Sequence, residues 1–259
     1  MKIILILLRL PLIIIRLPLI IIHVFVGILI LLLFFPKQKL NMKNIHSSIV
    51  VIWMKILRFL FGLKIKIKGK VEYECSVYVS NHISYLDIIV LNSILPVHFI
   101  AKSEIYRWPI IGYLTSKSGN LFIKRGDRES SKKIISSIRD DINFSNKIVF
   151  FPEGRIGDGV TVKKFHSKLF NSIEKSGKKV QPIFIRYPKK YPYDLSSNKD
   201  IVANDDSETL FAVSINCLGK LTTEVLLNFE KEINTSLLSA EEIAKQTFNL
   251  VSKSKIDLD

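Results

Sequence analysis

A histidine and an aspartate stand five positions apart in the segment from Ser80 to Asp87 (SNHISYLD), between an apolar stretch typical of a strand and one typical of a helix. On one regular helix, residues five apart point roughly 140° away from each other. If Ser84 caps the helix, however, His82 lies in the preceding turn, where the Asp87 carboxylate can reach the imidazole. A histidine oriented in this way could remove a proton from a substrate hydroxyl.

The same residues also have a purely structural interpretation. Ser84 and Asp87 have the spacing of a capping box, in which two side chains satisfy the free backbone N–H groups at a helix start. Capping alone would explain both residues, so the spacing by itself leaves both interpretations open.

Two further candidates follow predicted strands. Glu153 and Gly154 come after an apolar stretch, and an acid at the end of a buried strand points toward the crevice where open α/β sheets bind ligands. Lys124, Arg125 and Arg128 form a basic turn, and a guanidinium group binds phosphate in a forked geometry. The structural alternatives are a turn with a solvated acid and a solvated basic turn.

Other catalytic patterns are missing from the sequence. It contains no GxSxG nucleophile motif, no P-loop and no dinucleotide fingerprint. The histidines other than His82 occur singly, without metal-ligand spacing, and Cys75 and Cys217 lie too far apart for a redox or zinc motif. Catalysis would then be direct attack by a bound hydroxyl, with no metal and no cofactor. The two separated cysteines indicate a reducing cytosolic setting.

Strand-like and helix-like stretches alternate after residue 62, which predicts an α/β domain with a mixed, largely parallel sheet flanked by helices. The clearest helix is 128–142, where four isoleucines share one face, and 239–253 resembles a capped helix. Residues 189–207 are typical of a long surface loop. The predicted strands are 63–68, 77–80, 98–101, 120–124, 148–151, 180–187 and 224–229.

The first 35 residues hold the apolar excess of the chain. Residues 17–35 contain a single ionisable side chain, His23, and as a helix they would be roughly 28 Å long, close to the thickness of a hydrocarbon core. We expect one membrane helix here, with residues 1–18 kinked at Pro11 and Pro18 or lying in the interface. A signal peptide is the alternative, but no small-residue cleavage site follows.

Positive charge lies on both sides of the apolar stretch, with Lys37, Lys39 and Lys43 after it, so the charge rule does not fix an orientation. Residues 49–63 suit an amphipathic helix on the bilayer surface or, equally, a helix packed on the core. With 259 residues, the chain has room for a membrane anchor at 1–45 and one α/β domain at 46–259. Its net charge of +15 favours anionic partners.

Taken together and in order, four motifs resemble those of the glycerolipid acyltransferase family, which includes 1-acylglycerol-3-phosphate acyltransferases. Asn81-His82-x-x-x-x-Asp87 resembles the first motif, and 119–128 (GNLFIKRGDR) resembles the second. The segment 151–154 (FPEG) is similar to the third, and 180–183 (VQPI) is similar to the fourth, a strand ending in proline. The stretch from Phe99 through Trp108-Pro109 also resembles the segment between the first two motifs.

The resemblance implies a role for each matching residue. His82 would be the base that deprotonates the acceptor hydroxyl, and Asp87 would orient it. Arg125, assisted by Lys124, would contact a phosphate. Of the remaining substrate-binding residues, Glu153 would hold the acceptor, Gly154 would allow the backbone to approach it, and Pro182 would shape the acyl side.

The resemblance also implies a reaction and its partners. An acyl group would pass from acyl-CoA or acyl carrier protein to a lysolipid, forming phosphatidic acid, at the cytoplasmic face of a membrane such as a bacterial inner membrane. Nucleic acid is not an expected partner. Arg155, which we include among the substrate-binding residues, stands where the family usually has threonine or serine, and the following Gly157-Asp158-Gly159 resembles a branch that acylates lyso-ornithine lipid.

Two alternatives from other classes stay open. The chain could be a basic membrane-tethered binding protein without catalysis, since lysines also cluster at 163–168, although aromatic residues are not interleaved with them. It could also be a transacylase that takes its acyl group from another lipid.

Overall fold

The structure, a computed structural model, describes residues 2–35, 44–202 and 209–256. The three lysines predicted to flank the membrane helix lie outside these ranges, as does the end of the predicted loop 189–207. The described helices are α1 (Lys2–Phe34), α2 (Asn44–Leu60), α3 (Asp87–Asn92), α4 (Ile111–Lys117), α5 (Arg128–Asn143), α6 (Leu210–Leu218) and α7 (Ala240–Ile256), with 3₁₀ helices at Ser103–Arg107 and Ser167–Ser172.

One mixed sheet of eight strands lies at the centre, with the order β1-β9-β6-β2-β5-β3-β4 and with β10 beside β6. Strand β6 is antiparallel to β9 and β10, and the other pairs are parallel. The fold class predicted from the sequence is therefore confirmed. The strands are β1 (Leu63–Gly69), β2 (Val77–Ser80), β3 (His98–Lys102), β4 (Leu121–Ile123), β5 (Ile148–Phe150), β6 (Lys179–Arg186), β9 (Thr223–Phe229) and β10 (Ile233–Asn234).

Helices cover both faces of the sheet, giving three layers with a hydrophobic core on each side. One core combines α2, α3 and α6 with side chains such as Tyr78 and Ile185. The other combines the isoleucine face of α5 and one face of α7 with side chains such as Val79 and Phe184. Neighbouring residues of β2 and β6 thus contribute to opposite cores, as the alternation of side chains along a strand requires.

One predicted element differs from the structure. The predicted loop contains a hairpin, β7 (Pro188–Lys190) and β8 (Asp194–Ser197), and α6 follows the undescribed residues 203–208. Strand β6, predicted as 180–187, runs from Lys179 to Arg186 and therefore continues past Pro182. The strand tolerates proline here because no hydrogen bond of the sheet is lost. The N–H and C=O of one residue point to the same side of a strand, and the Pro182 carbonyl faces Glu230, between β9 and β10, where no N–H from residue 182 is required.

The N-terminal helix α1 runs through Pro11 and Pro18 as one element. The kink at these prolines, or a position in the interface, stays a prediction. Its segment Arg9–Phe34 is, by length and composition, the candidate for crossing a membrane among the described residues. The first half of α1 is held by the α/β domain: Arg9 pairs with Asp200 at 3.3 Å, and Arg16 donates to the carbonyls of Leu218, Lys220 and Leu221. These contacts hold the helix on both sides of Pro11 and just before Pro18.

Helix α2 packs on the core, which is one of its two predicted roles, and its position on a bilayer surface stays a prediction. Val50 and Leu57 are buried against α1 and the core, whereas Ile52, Ile56 and Phe59 remain exposed. One face therefore packs on the protein, and the other presents an apolar surface beside α1.

Candidate active site

The candidate residues follow strands whose carboxyl ends meet at one edge of the sheet. His82 follows β2, Glu153 follows β5, and Lys124 and Arg125 follow β4. Because these strands are parallel, their loops converge on one crevice, the usual place for a ligand in an open α/β sheet. The spacing of the sequence motifs thus becomes a spatial cluster.

His82 and Asp87 form a hydrogen-bonded pair. The Nδ1 atom of His82 lies 2.8 Å from Oδ2 of Asp87, and the same oxygen accepts the backbone N–H groups of Ile83 at 2.9 Å and Ser84 at 3.1 Å. The aspartate is completely buried, whereas the histidine side chain keeps 17% of its surface exposed. With Nδ1 engaged, Nε2 is the ring nitrogen available to a substrate.

The predicted cap by Ser84 is wrong in detail. Helix α3 begins at Asp87 with Leu86 at its cap position, and no side chain caps it. The Ser84 hydroxyl instead donates to the Ile201 carbonyl at 2.8 Å. Asp87 does accept the Ser84 N–H, which is the other half of a capping box, so the carboxylate orders the turn and the imidazole together.

Tyr187 also bonds Asp87, and no sequence motif indicated this contact. Its hydroxyl donates to Oδ1 of Asp87 at 2.8 Å, from the position immediately after β6. Burial and the Asp87 charge raise the pKa of Tyr187 well above its usual value, so the hydroxyl stays protonated as a donor. Each carboxylate oxygen of Asp87 is therefore held by fixed donors.

Two neighbours fix the position of this pair. The Phe151 ring stacks on the His82 imidazole with 4.1 Å between ring centroids. The Asn81 side chain bonds both the N–H and the C=O of Ile185, at 2.8 and 2.9 Å, which ties the end of β2 to β6. The asparagine in the first motif thus anchors the loop that carries the histidine.

Glu153 lies buried beside the histidine loop, with 4% of its surface exposed. Within the described residues, neither carboxylate oxygen has a partner with hydrogen-bond geometry. Burial raises the Glu153 pKa to about 8, although the nearby backbone N–H groups of His82 and Lys163 and the Lys163 charge act in the opposite direction. The side chain is therefore largely a neutral acid at pH 7 and can donate a hydrogen bond to a ligand. The Gly157 N–H donates to the His82 carbonyl at 2.6 Å and joins the two loops.

The basic turn lies at the same edge but farther away. Three strand steps separate β4 from β2, which at ~4.8 Å per step is roughly 14 Å. Lys124 and Arg125 are exposed, and Gly126 adopts a positive φ of 77° that turns the chain toward Asp127, the cap of α5. This turn borders the cleft without contacting the histidine.

Not all of the remaining predicted site residues lie beside the His82–Asp87 pair. Gly154 has a positive φ of 72°, suited to glycine, and lies beside His166. Arg155 is exposed on the loop after Glu153, whereas Pro182 is buried within β6 opposite Val79. Within the described ranges, no group of three His, Cys, Asp or Glu residues has an arrangement that could hold a metal ion.

An imidazole fixed by a buried carboxylate at the carboxyl edge of an α/β sheet defines the class of enzymes in which a histidine base activates a bound hydroxyl. Residues 64–186 match the family model described as Acyltransferase. The chain therefore carries an acyltransferase-family domain, which confirms the resemblance drawn from its four motifs.

Known proteins support this assignment. The chain is 31% identical to lyso-ornithine lipid O-acyltransferase of Pseudomonas aeruginosa over 135 residues, 52% of each chain. It is 34% identical to 1-acyl-sn-glycerol-3-phosphate acyltransferase of Neisseria meningitidis over 108 residues, 42% of each chain. The matches thus span about half the length of these curated relatives. The crystal structure of 1-acyl-sn-glycerophosphate acyltransferase from Thermotoga maritima shares the fold, with a TM-score of 0.69 and 19% identity, over 99% of this chain and 97% of that one.

Proposed function

We propose that this protein transfers a fatty acyl group from a thioester donor to the free hydroxyl of a lysolipid. The observation that carries the proposal is the His82–Asp87 pair, which is held by Tyr187 at the edge where the other motifs meet. Residues 1–45 attach the protein to a membrane, and residues 46–259 form the catalytic domain. Acyl-CoA or acyl carrier protein supplies the acyl group from the cytoplasmic side.

In the proposed mechanism, Nε2 of His82 takes the proton of the acceptor hydroxyl, and the oxygen forms a bond to the thioester carbonyl carbon. Asp87 stabilises the imidazolium that results. When the C–S bond breaks, the proton returns from His82 to the leaving thiolate. Each turnover therefore ends with the histidine in its starting state, and the chemistry uses only groups of this chain and its two substrates.

For the acceptor, we propose 1-acyl-sn-glycerol-3-phosphate. Lys124 and Arg125 border the cleft and can bind its phosphate. A neutral Glu153 can donate to the acceptor without repelling the phosphate charge. Gly154 leaves room for the headgroup where the chain turns. Pro182 is buried within β6, so it acts indirectly, through the position of the sheet.

Lyso-ornithine lipid is the second candidate acceptor. Arg155 occupies the position after the Pro-Glu-Gly motif and could pair with the carboxylate of an ornithine headgroup. The named lyso-ornithine lipid acyltransferases of Pseudomonas aeruginosa and Brucella abortus align over 52% of this chain, compared with 42% for the Neisseria relative.

Product identification with membranes that contain the protein tests the proposal. Labelled acyl-CoA or acyl carrier protein is supplied with each lysolipid in turn, and membranes without the protein serve as the control. We expect labelled phosphatidic acid from 1-acylglycerol-3-phosphate; labelled ornithine lipid alone would support the second acceptor. Transfer only from lipid donors would make the protein a transacylase, and binding without product would refute catalysis.

A further inference from the structure

The segment between β3 and α4 presents large apolar side chains to the outside of the domain. Tyr106, Trp108, Ile110 and Ile111 are 62%, 40%, 52% and 37% exposed. Single exposed apolar residues need no explanation, but four within one short segment form a contiguous patch of the kind that marks an interaction site. We call residues 106–111 the aromatic lip.

The backbone of the aromatic lip is strained in a way that exposes the patch. Ile110 has φ 64° and ψ −65°, and the N–H of Ile111 bonds the Pro109 carbonyl at 2.6 Å, which is the rare, strained form of a γ-turn. A positive φ is costly for a β-branched residue. Gly112 holds the turn from behind, since an added Cβ would lie 2.4 Å from the Tyr106 carbonyl. The strain places Ile110 in solvent, where its side chain adds nothing to the core.

The aromatic lip continues into the candidate membrane helix. Ile111, the last residue of the aromatic lip, begins helix α4, and Tyr113 and Leu114 of that helix pack on Leu31 of α1 and Val50 of α2. The Lys117 ammonium donates to the carbonyl of Phe35, just past the end of α1, at 3.2 Å. Because α4 is only about 10 Å long, the aromatic lip lies close to the apolar end of α1.

Cations surround the aromatic lip. Arg107 lies within it and is exposed, Lys102 precedes it, and Arg125 lies nearby on the basic turn, with Glu104 as the acidic residue among them. The Tyr106 ring packs edge-on against Phe122 of β4 at 5.5 Å, which joins the aromatic lip to the rim of the cleft. Aromatic side chains flanked by Arg and Lys suit the headgroup region of an anionic bilayer.

We propose that the aromatic lip is a second membrane-contacting surface, which inserts Trp108 and Ile110 into the headgroup region of an anionic phospholipid bilayer beside α1. Its position between α1 and the basic turn then lets a lysolipid headgroup pass from the bilayer surface to His82. This second statement depends on the proposed acyl transfer, whereas the membrane contact itself does not.

Site-specific fluorescence tests the contact. An environment-sensitive dye is attached to Ile110→Cys and, as the control, to Leu237→Cys, which is 90% exposed just before α7. Cys75 and Cys217 are buried, so they should not react. In phosphatidylcholine/phosphatidylglycerol vesicles whose acyl chains carry a nitroxide, we expect several-fold stronger quenching at position 110 than at 237. Equal quenching, or none at 110, would overturn the proposal.

Transfer assays test the consequence for catalysis. Ile110→Gly removes the side chain and relieves the positive φ, so its thermal midpoint should equal or exceed that of the unmodified protein. We expect several-fold slower transfer to acceptors in vesicles and unchanged transfer to acceptors in detergent; unchanged vesicle rates would refute the delivery role. If no transfer occurs at all, the proposed function fails, but the quenching result still decides the membrane contact.

Discussion

At the residue scale, the candidate site is built around one buried carboxylate. Asp87 accepts hydrogen bonds from His82, Tyr187 and two backbone N–H groups, so neither oxygen can turn away. The histidine is held on its other side by Phe151. Because the imidazole is already oriented, it needs no rearrangement before it accepts a proton from a hydroxyl. This pre-orientation accounts for much of the rate gain from a positioned base.

Tyr187→Phe tests this fixation. The variant keeps the ring but removes the donor to Oδ1 of Asp87, and a carboxylate with one donor fewer attracts a proton on the imidazole more strongly. We expect the acidic limb of the rate–pH profile to move to higher pH and the maximal rate to fall by roughly tenfold, as for a misplaced catalytic group. A lower rate with an unshifted profile would indicate a packing role only.

Glu153→Gln tests the buried acid through the pH dependence of stability. The pKa of Glu153 is raised to about 8 in the folded protein, so between the ordinary value near 4.5 and about 8 the folded state holds more proton than the unfolded state. Stability from this group is therefore lost as pH rises, by roughly 1.4 kcal/mol per pH unit inside that window.

We therefore expect the thermal midpoint in detergent to fall more steeply from pH 5.5 to 7.5 in the unmodified protein than in Glu153→Gln. The corresponding difference in unfolding free energy is about 2.5 kcal/mol. Glu174→Gln, at a partly exposed position outside the site, is the control. Parallel pH dependences in all three proteins would contradict a raised pKa at Glu153.

Some of these residues could be predicted from the sequence and others could not. His82, Asp87 and Glu153 occur in short motifs, and the order of residues within each motif is enough to indicate them as site residues. Tyr187 lies a hundred positions beyond Asp87 and meets it only because β6 pairs with β2. Without the strand order, a tyrosine after an apolar strand is indistinguishable from a core residue.

At the scale of elements, sequence patterns predicted the structure correctly where one local interaction dominates. The isoleucine spacing of α5 predicted its buried face, and Ser239 and Glu242 form the capping box that begins α7. Pattern reading failed for the hairpin β7–β8, whose polar residues are also typical of loops. The predicted strand 180–187 agrees with β6, although the strand neighbours that make Pro182 acceptable are set by tertiary pairing.

Ser239→Ala tests the contribution of this capping box. The change removes the hydroxyl that accepts the Glu242 N–H at 3.3 Å and donates to the Glu242 carboxylate at 2.9 Å. We expect a loss of about 1 kcal/mol in stability, measured as a lower thermal midpoint, with an unchanged rate per folded molecule because the cap is remote from the cleft. Ser252→Ala, later in the same helix, should cost less. A large loss of rate would contradict this separation.

At the scale of the whole molecule, the candidate membrane helix α1 and the α/β domain pack against each other. The sequence predicted an apolar helix, but it did not indicate that Arg9 and Arg16 bond residues of the α/β domain about two hundred positions later in the chain. Those contacts bring the first half of α1 onto α6, while exposed apolar side chains run along α1 from Leu10 to Phe34 and continue on α2 and the aromatic lip. The cleft thus opens near the surface that would meet lipid.

Arg16→Leu tests this attachment. The guanidinium donates to three backbone carbonyls at and just after the end of α6, and losing hydrogen bonds from a charged donor costs roughly 1.5–3 kcal/mol. We expect a thermal midpoint lower by several degrees in detergent. The matched change Arg139→Leu removes one exposed carbonyl contact and should have a much smaller effect. Equal effects would mean that α1 is not held by Arg16.

The most direct test of the central claim is acyl transfer by His82→Ala, compared with His98→Ala. His98 forms a similar pair with Asp141 at 2.6 Å, but it lies at the start of β3, on the opposite edge of the sheet. With rates expressed per folded molecule, we predict a loss of roughly 10²–10⁴ for His82→Ala and little change for His98→Ala. Transfer by His82→Ala at close to the unmodified rate would contradict the assignment of His82 as the base.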